Sequence, residues 1–145
     1  MSEAAVPVLS PRVARIRVQV APPLALPGGA GREQRFIRIL GGSMEGGGLR
    51  GTILAGGSDM QVVRPTGTLE IDARFIIDFG ADGHVLAHNR ALRRVPDARD
   101  AAVYFRGSFS FDAPRGPLAW LNDSIFVASG RRHGDEVELD LFRLD

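Results

Sequence analysis

Three observations predict an all-β protein closed into a single antiparallel β-barrel. Apolar and polar residues alternate with period two along most of the chain. Glycine and proline, 18 and 9 of the 145 residues, interrupt that alternation at short intervals. Apolar residues at helical spacing are hard to find. Alternation puts successive side chains on opposite faces of a strand. About eight or nine such strands, joined by short links, must form a sandwich or a barrel. Closure is preferred because long strands otherwise leave long exposed edges.

Each element follows from its residues. In RVARIRVQV (12–20), Ala14, Ile16, Val18 and Val20 alternate with Arg15, Arg17 and Gln19, giving a half-buried strand. APPLALPGGAG (21–31) breaks regular structure with its prolines and glycines. QRFIRIL (34–40) is the next strand. Gly41–Gly42 and Gly46–Gly48 bracket a bend, and LRGTIL (49–54) returns, with Gly51 marking a bulge or a close backbone approach. SDMQVVR (58–64) follows a Gly-Gly pair. TLEIDARFIIDF (68–79) is the longest alternating run: Leu69, Ile71, Ala73, Phe75, Ile77 and Phe79 share one face. Ala81–Asp82–Gly83 signals a hairpin turn, and residues 84–89 form the returning strand. ALRRVPDARD (91–100) is polar, contains Pro96 and reads as a loop with one helical turn. Strands are expected at 101–112, 118–129 and 135–144. Residues 1–11 read as a loose arm and 12–145 as one domain.

Charge and composition exclude several functions. The 18 basic residues are all arginine and face 17 acidic ones, a net charge of +1. That balance carries no nucleic-acid footprint. Without lysine there is no Schiff-base or phosphate-loop lysine. Without cysteine there is no disulfide, thiol nucleophile or Cys-ligated metal. His84 and His88, four apart on a strand, lie roughly 13 Å apart, too far to share an ion, so no metal site is expected. No apolar run is long enough to span a membrane, and the N-terminal residues do not read as a secretory signal. A cytoplasmic protein without a membrane partner is expected.

Residues 41–74, GGSMEGGGLRGTILAGGSDMQVVRPTGTLEIDAR, together with YFR (104–106), WLN (120–122) and GRR (130–132), resemble the bacterial domain of unknown function 3237 family. Members typically read GG…EG…L.G.VLPGGADWQ..R.DG…DARY. The resemblance runs from about residue 12 to residue 144. It implies a small antiparallel barrel, calycin-like or allene-oxide-cyclase-like, similar in shape to dirigent proteins and spirotetronate cyclases. The chain departs from the pattern at Ala55 (usually Pro), Met60 (usually Trp) and Phe75 (usually Tyr).

Period two also sorts the polar residues. Asp59 with Gln61, Asp72 with Arg74, Tyr104 with Arg106 and Trp120 with Asn122 each share a strand face, and Asn89 lies with Val85 and Ala87. If those faces point inward, the lumen suits a small oxygenated molecule and a proton transfer. The apolar face of 68–79 argues instead that Asp72 and Arg74 point out, unless a partner subunit covers that face. Asp59 follows Gly56–Gly57 at a strand start, where a barrel mouth would lie. It is the candidate general base or acid. Arg74 and Arg106 would stabilise an enolate or carboxylate. Gln61, Asp72, Asn89, Tyr104 and Asn122 would hold the substrate, and Trp120 would supply a wall. Each has a plainer alternative, as turn cap, packing residue or surface pair. The expected function is a cofactor-independent isomerase, cyclase, hydratase or lyase acting on a carbonyl or carboxylate compound. The alternative is a non-catalytic ligand-binding or structural barrel. Large apolar faces further predict a homodimer or higher homo-oligomer.

Overall fold

The computed structural model describes residues 3–28, 32–96 and 102–145. Ten strands follow in chain order: β1 (Leu9–Val20), β2 (Leu24–Pro27), β3 (Glu33–Gly46), β4 (Leu49–Ile53), β5 (Ser58–Val63), β6 (Leu69–Asp78), β7 (His84–Arg94), β8 (Tyr104–Asp112), β9 (Ile125–His133) and β10 (Glu136–Leu144). Their pairings are antiparallel. Eight of them close a ring in the order β1, β10, β9, β8, β7, β6, β5, β3 and back to β1. β2 and β4 lie off this ring. β2 pairs with the start of β3, while β4 bridges the end of β3 to the end of β6. The barrel predicted from the alternation is therefore present.

The closure decides which face of each strand is buried. On β6, Ile71, Ala73, Phe75 and Ile77 point inward, so Asp72 and Arg74 point out. On β1 the inward set is Ala14, Ile16, Val18 and Val20. Outside the β1–β10 seam, Arg15 Nε lies 2.9 Å from Asp140 Oδ1. Phe109 sits at the centre of the core, edge-on to Phe75 at 6.3 Å and stacked on Phe111 at 5.7 Å. Burying each such side chain contributes about 1.5–3 kcal/mol. Gly51 pairs in register with Met44 without a bulge. It is a close approach, since a Cβ there would lie 2.6 Å from Ile77 Cγ2.

Five expectations shift. Residues 21–31 do not wholly break regular structure, since Leu24–Pro27 form β2 against β3. β1 starts at Leu9, and Val8 exchanges backbone hydrogen bonds with Asp145, so the arm is shorter than 1–11. β3 continues through Gly41–Gly42, with a register shift against β1 between Ile39 and Gly41, and the turn lies at Gly47–Gly48. Residues 118–124 are not strand: Ala119–Asp123 form a 3-10 helix, and β9 begins at Ile125. That helix plugs one end of the barrel with Leu118 and Leu121, both buried. β7 extends to Arg94, so the polar loop expected from residue 91 is strand for its first four residues. The rest of that loop from 97, and residue 101, lie outside the described residues.

Candidate active site

Opposite the plugged end, the strands enclose a cavity of about 60 Å³. Its walls are mostly apolar, with Val18, Ile37, Ile71, Phe75 and Leu139 among them. Five polar side chains interrupt them: Asp59, Gln61, Asn89, Arg93 and Arg132.

β5 supplies the first two. Its alternation sends Met60 outward and Asp59 and Gln61 inward. Gln61 Nε2 donates to Asp59 Oδ2 at 2.8 Å. Asp59 Oδ1 is buried and has no partner. Burial pushes the Asp59 carboxyl above the ordinary aspartate range. The Gln61 hydrogen bond, a backbone hydrogen bond from Asp72 and the charge of Arg132 pull the other way, and the Asp72 carboxylate adds to the rise. Asp59 pairs with Ala73 of β6, which in turn pairs with Asn89 of β7. Those partners lie four residues below Leu69 and Arg93, whose strand ends open the cavity. Asp59 therefore lies partway down the lumen, not at a mouth beside the Gly-Gly bend.

Asn89 is 3% exposed, and its Oδ1 has no partner. Gly107 makes room for it, for a Cβ there would lie 2.3 Å from that oxygen. Arg93 occupies the same face of β7 four residues on. It registers with Leu69 and Phe105, and its Nε is buried without a partner. Burial and the neighbouring Arg132 charge lower the affinity of the Arg93 guanidinium for its proton. Arg132, near the end of β9, donates from Nε to the Gly134 carbonyl at 2.8 Å.

Three of the nine sequence-derived site residues thus meet in the lumen: Asp59, Gln61 and Asn89. The other six lie outside it. Asp72 is on the outer face, 2.7 Å from His88 Nε2, and Arg74 stands beside it at 3.9 Å. Tyr104 lies between the guanidiniums of Arg94 and Arg106, at 4.2 and 5.6 Å from its ring centre. Arg106 also donates to Ser129 Oγ at 3.0 Å. Trp120 packs on Phe126 from the plug, 6.1 Å between ring centres. Asn122 caps the plug: its Oδ1 accepts from the Ala113 amide at 2.7 Å, and its Nδ2 donates to the Ala113 carbonyl at 3.0 Å. Trp120 and Asn122 are outside because they belong to the 3-10 helix and have no strand face. For the four strand residues the reason is shared. Once the apolar faces of β6 and β8 turn inward, the polar faces of the same strands must turn out.

The sequence reading missed Arg93 and Arg132 as site residues. The signal for Arg93 was its even spacing from Val85, Ala87, Asn89 and Ala91. It was hidden because at the end of β7 an arginine points in and Leu92 points out. Among the described residues no group of three His, Cys, Asp or Glu side chains is placed to hold a metal ion. No helix among them is long and apolar enough to cross a membrane.

Fold and lumen define a small closed antiparallel barrel with one buried carboxyl facing an apolar cavity. The chain belongs to the family described as Protein of unknown function (DUF3237), whose model matches residues 7–144. A UPF0311 protein of Clostridium acetobutylicum is 31% identical over 125 residues, covering 79% of this chain and 78% of that one. A UPF0311 protein of Rhodopseudomonas palustris is 30% identical over 122 residues, covering 77% and 80%. Among solved structures, a beta-barrel like protein of Acinetobacter baumannii superposes with a TM-score of 0.89 at 28% identity, covering 100% of both chains. An enzyme from Penicillium herquei superposes with a TM-score of 0.73 at 17% identity, covering 100% of this chain and 99% of that one. That last likeness is one of fold alone.

Proposed function

We propose that the protein is an acid–base enzyme that admits a small oxygenated molecule, a carbonyl or carboxylate compound, to the barrel and moves one of its protons through Asp59. One observation carries this reading. Among the described residues, the buried side-chain polar atoms without a hydrogen-bond partner are Asp59 Oδ1, Asn89 Oδ1 and Arg93 Nε, and all three residues line the same cavity. Leaving such a group unpaired costs about 1–3 kcal/mol. Three residues with such atoms along the walls of one mostly apolar cavity are what a ligand site requires, not what a packed core tolerates.

The division of labour follows from the geometry. Gln61 occupies Asp59 Oδ2, which leaves Oδ1 as the working atom. A carboxyl raised by burial above the ordinary aspartate range is suited to act as base in one step and acid in the next. Asn89 would orient the substrate by donating from Nδ2 to its oxygen, while Oδ1 would accept from a substrate hydroxyl. Isomerisation, cyclisation, hydration and elimination all need this proton step, and the chain's own side chains are proposed to perform it without a cofactor. The proposal keeps the cytoplasmic setting and extends to a homodimer or larger. Exposed Leu40, Ile76 and Leu86 surround the Ala55–Gly57 corner and offer an apolar contact face.

The test is proton exchange in heavy water. Pyruvate, 2-oxobutyrate and 3-oxobutyrate are incubated with the protein, and deuterium entering beside the carbonyl is followed by NMR. The reading expects accelerated exchange that Asp59→Asn lowers by on the order of 100-fold or more. Binding of these compounds with no exchange would identify a non-catalytic ligand barrel instead.

A further inference from the structure

We propose that Arg93 and Arg132 together form a carboxylate-binding site at the cavity mouth, so that the barrel selects short monocarboxylates and presents their other end to Asp59. This rests on the acid–base reading for the role of the far end, but the anion site stands on its own observations.

The first is placement. Arg93 lies on the inward face of β7 and Arg132 near the end of β9, and both line the cavity that holds Asp59. β8 runs between their strands. There Phe105 lies over Gly130, where a Cβ would come within 2.8 Å of the ring. The ring thereby occupies the wall between the two strands, and both guanidiniums border the same opening. The second observation is partnership. Along the outer face arginines meet carboxylates, as Arg15 does with Asp140 and Arg64 with Glu70. Arg93 and Arg132 meet none among the described residues. Arg132 is exposed, as are most of the other unpaired arginines, while Arg94 and Arg106 flank an aromatic ring. Arg93 instead keeps its Nε buried and unpartnered.

Arg93 is partly buried and feels the charge of the exposed Arg132 beside it, and an anion joining the two would relieve both costs. A guanidinium fork matches a carboxylate with two parallel hydrogen bonds. The Arg132 Nε is already committed to Gly134, so Arg132 would engage the ligand through its Nη atoms. Depth sets the ligand's length. Asn89, level with Asp59 across β6, is four residues from Arg93, or about 13 Å of strand, a span that the arginine side chain shortens. A cavity of about 60 Å³ admits only a slender chain there. The fitting ligand has a carboxylate at one end and a carbonyl or hydroxyl a short distance away.

The experiment is an NMR titration read on the side-chain amide signals of Gln61 and Asn89. The probes are pyruvate, 2-oxobutyrate and 3-oxobutyrate, each against its uncharged amide. The acids should bind saturably, with the amides at least about tenfold weaker, as expected for loss of a charge-assisted pair. Arg132→Gln should weaken the acids by a similar factor while leaving the amides unchanged. Arg93→Lys, which keeps the charge and loses the fork, should also weaken the acids. Arg132 is exposed at a strand end, so its variant is expected to fold, and circular dichroism checks this. Equal affinity for acid and amide, no binding of any acid, or unchanged affinity in Arg132→Gln would overturn the proposal. Asp59→Asn separates it from the catalytic reading. Carboxylate-dependent binding that persists in Asp59→Asn, with no exchange even in the wild type, would keep the anion site and discard the catalysis.

Discussion

Gln61 Nε2 donates to Asp59 Oδ2 at 2.8 Å, and both side chains rise from one strand into the same apolar lumen. The amide fixes one carboxyl oxygen and leaves the other bare. Burial makes Asp59 costly to ionise in spite of the Gln61 hydrogen bond, and the cost has a measurable sign.

The folded-state pKa of Asp59 is raised, so the folded state binds its proton more tightly than the unfolded chain. Below the unfolded value both states are protonated and there is no penalty. As pH rises from there through the raised folded value, stability is lost, and above it the loss is complete. Asp59→Asn removes this contribution. The melting temperature of the wild type should therefore fall relative to Asp59→Asn as pH climbs through that window. The variant should be at least as stable at pH 7. A variant less stable at every pH would show that the carboxylate is a structural necessity.

Gly107→Ala should disturb the site from behind. The added methyl would sit 2.3 Å from Asn89 Oδ1, a distance that real contacts do not reach. Asn89 must move, at a cost of about 1–3 kcal/mol for overpacking. Denaturant unfolding should show this loss, and the Asn89 amide signals should shift. A variant as stable as the wild type would mean that the wall yields freely there.

Asn122 was a candidate for substrate binding and is found capping the plug. Asn122→Ala should leave the Ala113 amide and carbonyl without their partner, costing about 1–3 kcal/mol. Leu121→Ala, which empties the plug itself, should cost about 2–5 kcal/mol. In both variants the affinity for the small acids should change less than twofold. A large loss of affinity with normal stability would return Asn122 to the site.

Arg74 and Ile76 stand outside the barrel. Arg74→Met should leave ligand affinity and proton exchange as they are, because its guanidinium does not reach the lumen. Ile76→Glu places a charge in the exposed apolar patch beside Leu86. If that patch joins two copies, light scattering should show the variant shifting to a smaller species. A wild type that is monomeric at micromolar concentration would count against the contact face.

The strand pattern was legible because period two and closure are properties of the sequence. Period two put Ile71, Ala73, Phe75 and Ile77 on one face, but left open whether that face met the core or a partner subunit. The pairing of Asp59 with Gln61 was legible for the same reason. What the sequence did not state was the sense of each polar face. Asp72 with Arg74, and Tyr104 with Arg106, have the right spacing, and only closure tells inward from outward. The plug was missed because AWLND follows Pro117 as a short turn with no period of its own. Arg93 was missed because local polarity outweighed its place on the Asn89 face.

The most direct measurement of the central claim is the pH dependence of carbonyl-adjacent proton exchange, compared between wild type and Asp59→Asn. The account predicts that wild-type exchange rises through one ionisation above the ordinary aspartate range. In Asp59→Asn both the acceleration and that ionisation should vanish, with binding of the acid retained. An Asp59→Asn protein that exchanges at the wild-type rate with the same pH profile would contradict the account, because the proton would then be moving through some other group.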